Sequence, residues 1–350
     1  MSLSERIEPS EVLREATEAL EESHRVGARG AAPALSALPA TRDVRVMTYN
    51  ILAGGWPRVD ALETVMRDAR ADIIGVQEAA AHTLTELASR LGMFSALSWS
   101  RRGSPTGLLS RWPLCDVDPH ADGPLLNGLL EAVVEPEGAP PLRIFVTHLA
   151  ASYTAWRAGE GQRLRELSYI LERMRAASAD GVDSVLMGDF NSLPPDERLL
   201  ASRLLLHTAD NDARRAQGDD LTGQPGVSKV LPKPLRPLAN GLVDLARQPA
   251  LGWIADLAAG VYVPRAVVRR TRAAGYTDLY TATHPDARQR EMSCPSQNPA
   301  GRIDYIFANP TLASRLTTCE LLGDTPTCPV TLASDHRPML ATLALPRVTP

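Results

Sequence analysis

Eight polar side chains stand at the ends of apolar runs, where packing alone does not account for them. The run Val44–Tyr49 closes on Asn50, and Ile73–Val76 leads to Glu78. Leu142–Thr147 delivers His148, and Val185–Met187 is followed by Asp189 and Asn191 within VLMGDFNS. RIDYIF carries Asp304, and the loop ASDHRP supplies Asp335 and His336. A carboxylate at the end of a buried strand costs several kcal/mol unless it is paired or bound to a metal. Taken singly, each of these residues reads as a satisfied polar group. As a set they read as a site. The oxygen-rich members suit a hard cation such as magnesium or manganese. Two histidines without cysteine partners suit proton transfer rather than structural zinc.

The elements that position these residues alternate in type. Val59–Arg70 and residues 81–91 have helical spacing, and Gly107–Ser110 reads as a short strand ended by Trp112-Pro113. Gln162–Ala176 is predicted helical, because Leu164, Leu167, Leu171 and Met174 form one apolar stripe. Ile303–Ala308 and Met339–Leu345 complete the strands. This periodicity alone gives a mixed α/β protein. Ser334 reads as a turn residue, since no GxSxG elbow surrounds it. His82, His120, His207 and His284 lack motif context and are expected at the surface.

The chain of 350 residues is long enough for one large domain or two ordinary ones. Its net charge of −4 excludes a generic polyanion binder. No run of about 18 apolar residues predicts a transmembrane helix. The N-terminus, MSLSERIEPSEVLREATEALEESH, lacks the apolar core of a secretory signal, so a cytoplasmic location is expected. Cys115, Cys294, Cys319 and Cys328 form no CxxC pair and are read as free thiols, although a hairpin could bring Cys319 to Cys328.

Two segments stand apart. Residues 1–40 read as an acidic amphipathic helix followed by an Ala/Gly/Pro linker, leaving 41–350 as the catalytic domain. Within that domain Leu221–Gly275 carries eight cations against Asp244 and Asp256. It reads as a basic insertion beside the site. Arg265, Arg269, Arg270 and Arg272 are its candidate substrate-binding residues, weighed against a solvated helix face. The same insertion holds an apolar stretch, Trp253–Val263, suited to peripheral lipid contact.

The motifs TYNIL, VQE, THL, GDFNS, RIDYIF and SDHRP, with GLLSRWPL between the second and third, resemble those of the endonuclease/exonuclease/phosphatase family in the same order. The resemblance runs from about Val44 to Leu345. It implies an α+β fold, a four-layer α/β/β/α sandwich of two mixed sheets. It also implies roles. Glu78 would be the main ligand of a magnesium or manganese ion, completed by Asn50 and Asp335. His336 would act as general base or orient the attacking water, braced by Asp304. Asp189 would orient the water, and Asn191 would donate to a phosphoryl oxygen. His148 would contact the phosphate and could protonate the leaving oxygen.

Departures from the branches narrow the resemblance. Leu52 stands where AP endonucleases usually carry an acidic residue, and THL replaces their tyrosine-bearing segment. SPTG, Ser104–Gly107, lacks the glutamate that braces the matching histidine in the deoxyribonucleases. Three functions stay open at this point. The first is a phosphodiesterase acting on nucleic acid or a nucleotide. The second is a phosphatase or sphingomyelinase-like enzyme acting on a lipid or small phosphoester. The third is an inactive binding module, which the complete residue set disfavours.

Overall fold

A computed structural model describes residues 41–120, 122–151, 157–263 and 265–348. The acidic helix and linker expected over residues 1–40 lie outside the described residues.

Two six-stranded sheets pack face to face. The first has the order β11-β12-β1-β2-β4-β3. Its strands are β1 (Thr41–Gly54), β2 (Ile73–Ala79), β3 (Phe94–Leu97), β4 (Thr106–Ser110), β11 (Leu316–Leu321) and β12 (Met339–Pro346). The second has the order β5-β6-β7-β8-β10-β9. It comprises β5 (Leu114–His120), β6 (Leu129–Val134), β7 (Leu142–His148), β8 (Asp183–Asp189), β9 (Thr277–Asp278) and β10 (Asp304–Ala308). Each sheet is mixed: β1–β2 and β7–β8 run parallel, and the other strand pairs are antiparallel.

The central strands are apolar on both faces because each sheet is covered twice. Between the sheets lie Val44, Val46, Ile73, Leu108, Leu130, Ile144, Val185 and Ile306. The opposite face of the first sheet packs on α1 (Val59–Asp68) and α2 (Ala81–Leu91) through Leu62, Val65, Leu84 and Leu87. The opposite face of the second packs on α3 (Arg157–Ala177) through Leu167, Ile170, Leu171 and Met174. Each such aliphatic side chain contributes about 1.5–3 kcal/mol on burial. The result is the four-layer α/β/β/α sandwich. The sheets approach closely at Gly75, where a Cβ would stand 2.8 Å from the Met187 sulfur.

Several elements had weak sequence signals. The edge strand β5 reads LCDVDPH, and its acidic residues and Pro119 are tolerated because one side forms no ladder. Beyond Asn191 a helical unit is added: α4 (Ala201–Ala216), α5 (Val227–Val230), a 3-10 turn (Lys233–Leu238), α6 (Ala239–Ala246) and α7 (Pro249–Tyr262). It has its own small core of Leu205, Val227, Leu231, Val243 and Ala246. The next helix, α8 (Ala266–Ala273), belongs instead to the main body, where Val267 and Val268 join the α3 core. The segment Leu221–Gly275 is thus shared between the small helical core and the main body.

Two histidines expected at the surface are buried. His120 lies 3.0 Å from Glu131, and His207 packs in α4. His82 is exposed, and half-buried His284 stacks on Tyr280. All four cysteines are free thiols. No helix among the described residues is long and apolar enough to cross a membrane.

Candidate active site

Strand register places three polar residues abreast. His148 on β7 is opposite Asp189 on β8, and Asp189 is opposite Asp304 on β10. Neighbouring strands lie about 4.8 Å apart, so these side chains meet without any long loop. The approach to Asp189 demands glycine. Gly188 has φ +147°, and a Cβ there would fall 1.8 Å from the Thr147 carbonyl oxygen.

The first sheet brings Asn50 and Glu78 to the same end. Asn50 Nδ2 donates to Glu78 Oε1 at 3.2 Å and to Asp189 Oδ2 at 3.1 Å, joining the two sheets. Glu78 Oε2 accepts from the Ala53 amide at 2.7 Å. Asp335 enters from the loop before β12. Its neighbour Ser334 donates to the Asn50 carbonyl at 2.6 Å, and its own carbonyl accepts from the Ser296 amide at 2.6 Å. Arg58 fixes the turn after β1 by donating to the carbonyls of Ile51, Leu52 and Ala333. Leu52, Ala53, Glu78 and Asn191 all have positive φ, and they are four of the six non-glycine residues with that conformation among the described residues. Such conformations cost about 1–3 kcal/mol each and persist where the surroundings impose them.

On the other side, His336 Nδ1 lies 2.9 Å from Asp304 Oδ2. Asp304 is in turn seated by Ser293, whose hydroxyl accepts from the Ile303 and Asp304 amides. Asp189 lies between two imidazoles: its Oδ2 is 3.6 Å from His148 Nε2 and 3.9 Å from His336 Nε2. Asp189 Oδ1 accepts from the Asn191 amide at 2.8 Å, and Asn191 Nδ2 donates to the Leu149 carbonyl at 2.9 Å. His148 Nδ1 is buried without a hydrogen-bond partner, in keeping with the missing glutamate in SPTG.

The electrostatics follow from this crowding. Burial opposes charge on His336, but the Asp304 carboxylate overrides it and holds the imidazole pKa well above its ordinary value. Burial and the Asp304 charge together push Asp189 up to about 6. Burial also raises Glu78, yet the charge of His148 and the bonds from Ala53 and Asn50 leave it below the usual carboxylate range. Asp335 is raised by burial.

These groups fit a divalent ion. Oδ1 of Asp335 and Oδ1 of Asp304 are buried without hydrogen-bond partners. Asp189, Asp304 and His336 each offer a ligand atom within 4.8 Å of the others. With Asn50 and Glu78 beside them, the donors are oxygens plus an imidazole, the chemistry of a hard or borderline cation.

The structure thus assembles Asn50, Glu78, His148, Asp189, Asn191, Asp304, Asp335 and His336, and it gives the four arginines other surroundings. Arg265 donates to the carbonyls of Pro194 and Glu197, bracing the segment after Asn191. Arg272 bridges Asp196 and Asp278. The guanidiniums of Arg265 and Arg272 are thus held by backbone carbonyls and carboxylates of the chain itself. Arg269 and Arg270 stay exposed on α8, a helix that packs against the main body.

Other supporting residues lie outside the sequence motifs. Glu166 accepts from the Ala150 and Leu126 amides, anchoring the turn that follows His148. Its signal was a carboxylate one position before the stripe residue Leu167. Cys294 neighbours His336, and burial pushes its thiol pKa up to about 11. His207 and Gln224 of the added unit line a cavity of about 40 Å³ with Leu52, Arg58 and Asp335. The added unit therefore reaches the edge of the site.

Comparison with known proteins agrees with this geometry. Residues 47–336, a span holding all eight polar residues, match the model described as Endonuclease/Exonuclease/phosphatase family. No curated protein matches the sequence. An AP endonuclease from Archaeoglobus fulgidus is 15% identical, with 86% of this chain and 99% of that chain covered and a TM-score of 0.52. The 3' phosphatase NExo from Neisseria, solved bound to product DNA hairpin, is 14% identical over 85% of this chain and 98% of that chain, with a TM-score of 0.52. An endonuclease/exonuclease/phosphatase from Bacteroides vulgatus is 16% identical over 87% and 99%, with a TM-score of 0.52. At these identities the structural likeness is one of fold.

Proposed function

The chain belongs to the endonuclease/exonuclease/phosphatase family, and we propose on that premise that it hydrolyses a phosphodiester of nucleic acid or a nucleotide with magnesium or manganese. The observation that carries the reading is the row His148, Asp189 and Asp304, with His336 on Asp304, facing the oxygens of Asn50, Glu78 and Asp335.

Glu78, Asn50 and Asp335 would hold the ion. When bound, it would neutralise phosphoryl charge and polarise the ester. The protein's own groups supply the rest. Asp304 fixes His336 through Nδ1, which leaves Nε2 facing Asp189. That pair is suited to orient a water for attack. His148 lies on the far side of Asp189 and is suited to contact the phosphate and protonate the departing oxygen. Asn191 would donate to a phosphoryl oxygen. Contact between the basic segment and a polyanion rests on Arg269 and Arg270.

A second reading, a lipid or small phosphoester as substrate, is favoured by exposed Trp253, Ile254 and Leu257. A substrate panel separates the two. Oligonucleotides, nucleotides, phospholipids and a small phosphomonoester would be assayed with magnesium, with manganese and with excess chelator. Metal-dependent cleavage of oligonucleotides or nucleotides is expected. Hydrolysis of lipid or monoester alone would favour the second reading, and undiminished hydrolysis in chelator would refute the metal-dependent reading.

A further inference from the structure

One helix of the added unit, α7, turns an apolar face to water. On a solvent-facing helix the polar residues point outward and the apolar ones inward. Among the described side chains of α7 the exposed ones are Ala250, Trp253, Ile254, Leu257 and Ala258. Its one carboxylate, Asp256, accepts from the Ser202 amide of α4 at 2.8 Å. Trp253 and Leu257 are 60% and 64% exposed, and the indole N–H is already satisfied by the Ala250 carbonyl. The neighbouring 3-10 turn exposes Leu235 and Leu238. Five of the eight large hydrophobic residues exposed among the described residues therefore fall in this one unit.

Its cations complete the pattern. Lys233 is exposed and Arg236 half-buried in the same turn as Leu235 and Leu238, exposed Lys229 lines a cavity with Asp212, Asp219 and Asp220, and no carboxylate among the described residues lies within ion-pair distance of the three. Arg247 is neutralised by Asp244 at 2.9 Å. A unit that exposes apolar side chains on α7 and alternates leucines with cations in its 3-10 turn is complementary to an anionic bilayer surface. Apolar side chains enter the acyl boundary, indole rings settle at the headgroup level, and cations meet lipid phosphates. A second copy across a twofold axis would set these cations against their own copies.

We propose that the face formed by Trp253, Ile254 and Leu257 of α7, together with Leu235 and Leu238 of the same helical unit, docks this protein reversibly onto anionic membranes. The docking goes beyond the proposed hydrolysis and does not depend on which phosphoester is cleaved.

The test is co-sedimentation of the full chain with vesicles of phosphatidylcholine alone and of phosphatidylcholine mixed with phosphatidylglycerol. Binding is expected to the mixed vesicles and to weaken as salt is raised. The double substitution Trp253→Asp with Leu257→Asp should lower the bound-to-free ratio at least ~10-fold. Both side chains are exposed, so circular dichroism and hydrolysis of a soluble phosphoester should stay as in the parent. Lys229→Glu with Lys233→Glu should remove the preference for phosphatidylglycerol. Absence of binding to either vesicle would overturn the proposal, as would equal binding by the Asp variant. A concentration-dependent dimer abolished by the Asp substitutions would assign the face to a second copy instead. Salt-sensitive binding of an oligonucleotide, lost in the Lys variant and unaffected by vesicles, would assign it to nucleic acid.

Discussion

At the scale of single residues the site divides by task. His336 and Asp304 form one unit, with the carboxylate fixing both the orientation and the charge of the ring. His336→Ala and Asp304→Asn should therefore behave alike in steady-state kinetics, each lowering kcat by ~10²–10⁴-fold with a smaller change in KM. A normal kcat in Asp304→Asn would remove the bracing role. His148 touches neither Asp304 nor its own brace, so His148→Ala tests leaving-group protonation separately. Its deficit should shrink on a substrate whose leaving group needs no proton. A deficit of equal size on both substrates would deny it that task.

At the scale of elements, two devices hold the polar row. One is the glycine before Asp189. Gly188→Ala would drive a Cβ into the Thr147 carbonyl. Activity and melting temperature should both fall, and a parent-like melting curve would contradict the geometry. The other is a buried ion network. Arg302, fully buried, contacts Glu197 and Asp278, and Arg272 also reaches Asp278. Burial opposes ionisation of Asp278, but the Arg302 charge and its hydrogen bonds hold the pKa below the ordinary range. Asp196, nearby on Arg290 and Arg272, is lowered to about 2. A carboxyl with a depressed native pKa stabilises the fold above its unfolded pKa, near ~4, and loses that contribution as pH falls through the native value. Denaturant unfolding should thus show stability falling between about pH 4 and about pH 2. Arg302→Met should cost about 3–5 kcal/mol at neutral pH, because it leaves buried carboxylates uncompensated, and should flatten the acid limb. An unchanged acid limb would remove the network from the account.

At the scale of the whole molecule, the site exists only where the two sheets meet, so an ion bound there couples to global stability. A ligand that binds only the folded chain at ~100 times its Kd adds about 2.7 kcal/mol. Thermal denaturation with magnesium or manganese should show a rise in Tm that chelator reverses. Glu78→Ala should abolish the rise while leaving a cooperative transition. A rise of equal size in that variant would place the ion elsewhere.

The sequence by itself determined the polar residues and the strand ends that carry them. Each follows an apolar run read locally, and their motif order gave the family and its sandwich. It also marked the added segment as unusual, through its cations and its Trp253 stretch. Only the tertiary structure decided what depends on partners distant in the chain. Asn50 and Asp189 are bonded across two sheets, although 139 positions separate them. Arg265 and Arg272 look free in sequence, and their backbone and carboxylate partners lie up to 76 positions away. The small core shared by α4 to α6 and the outward apolar face of α7 were equally hidden. A helix's apolar stripe shows in its spacing, but which side faces the core is set by the elements packed against it.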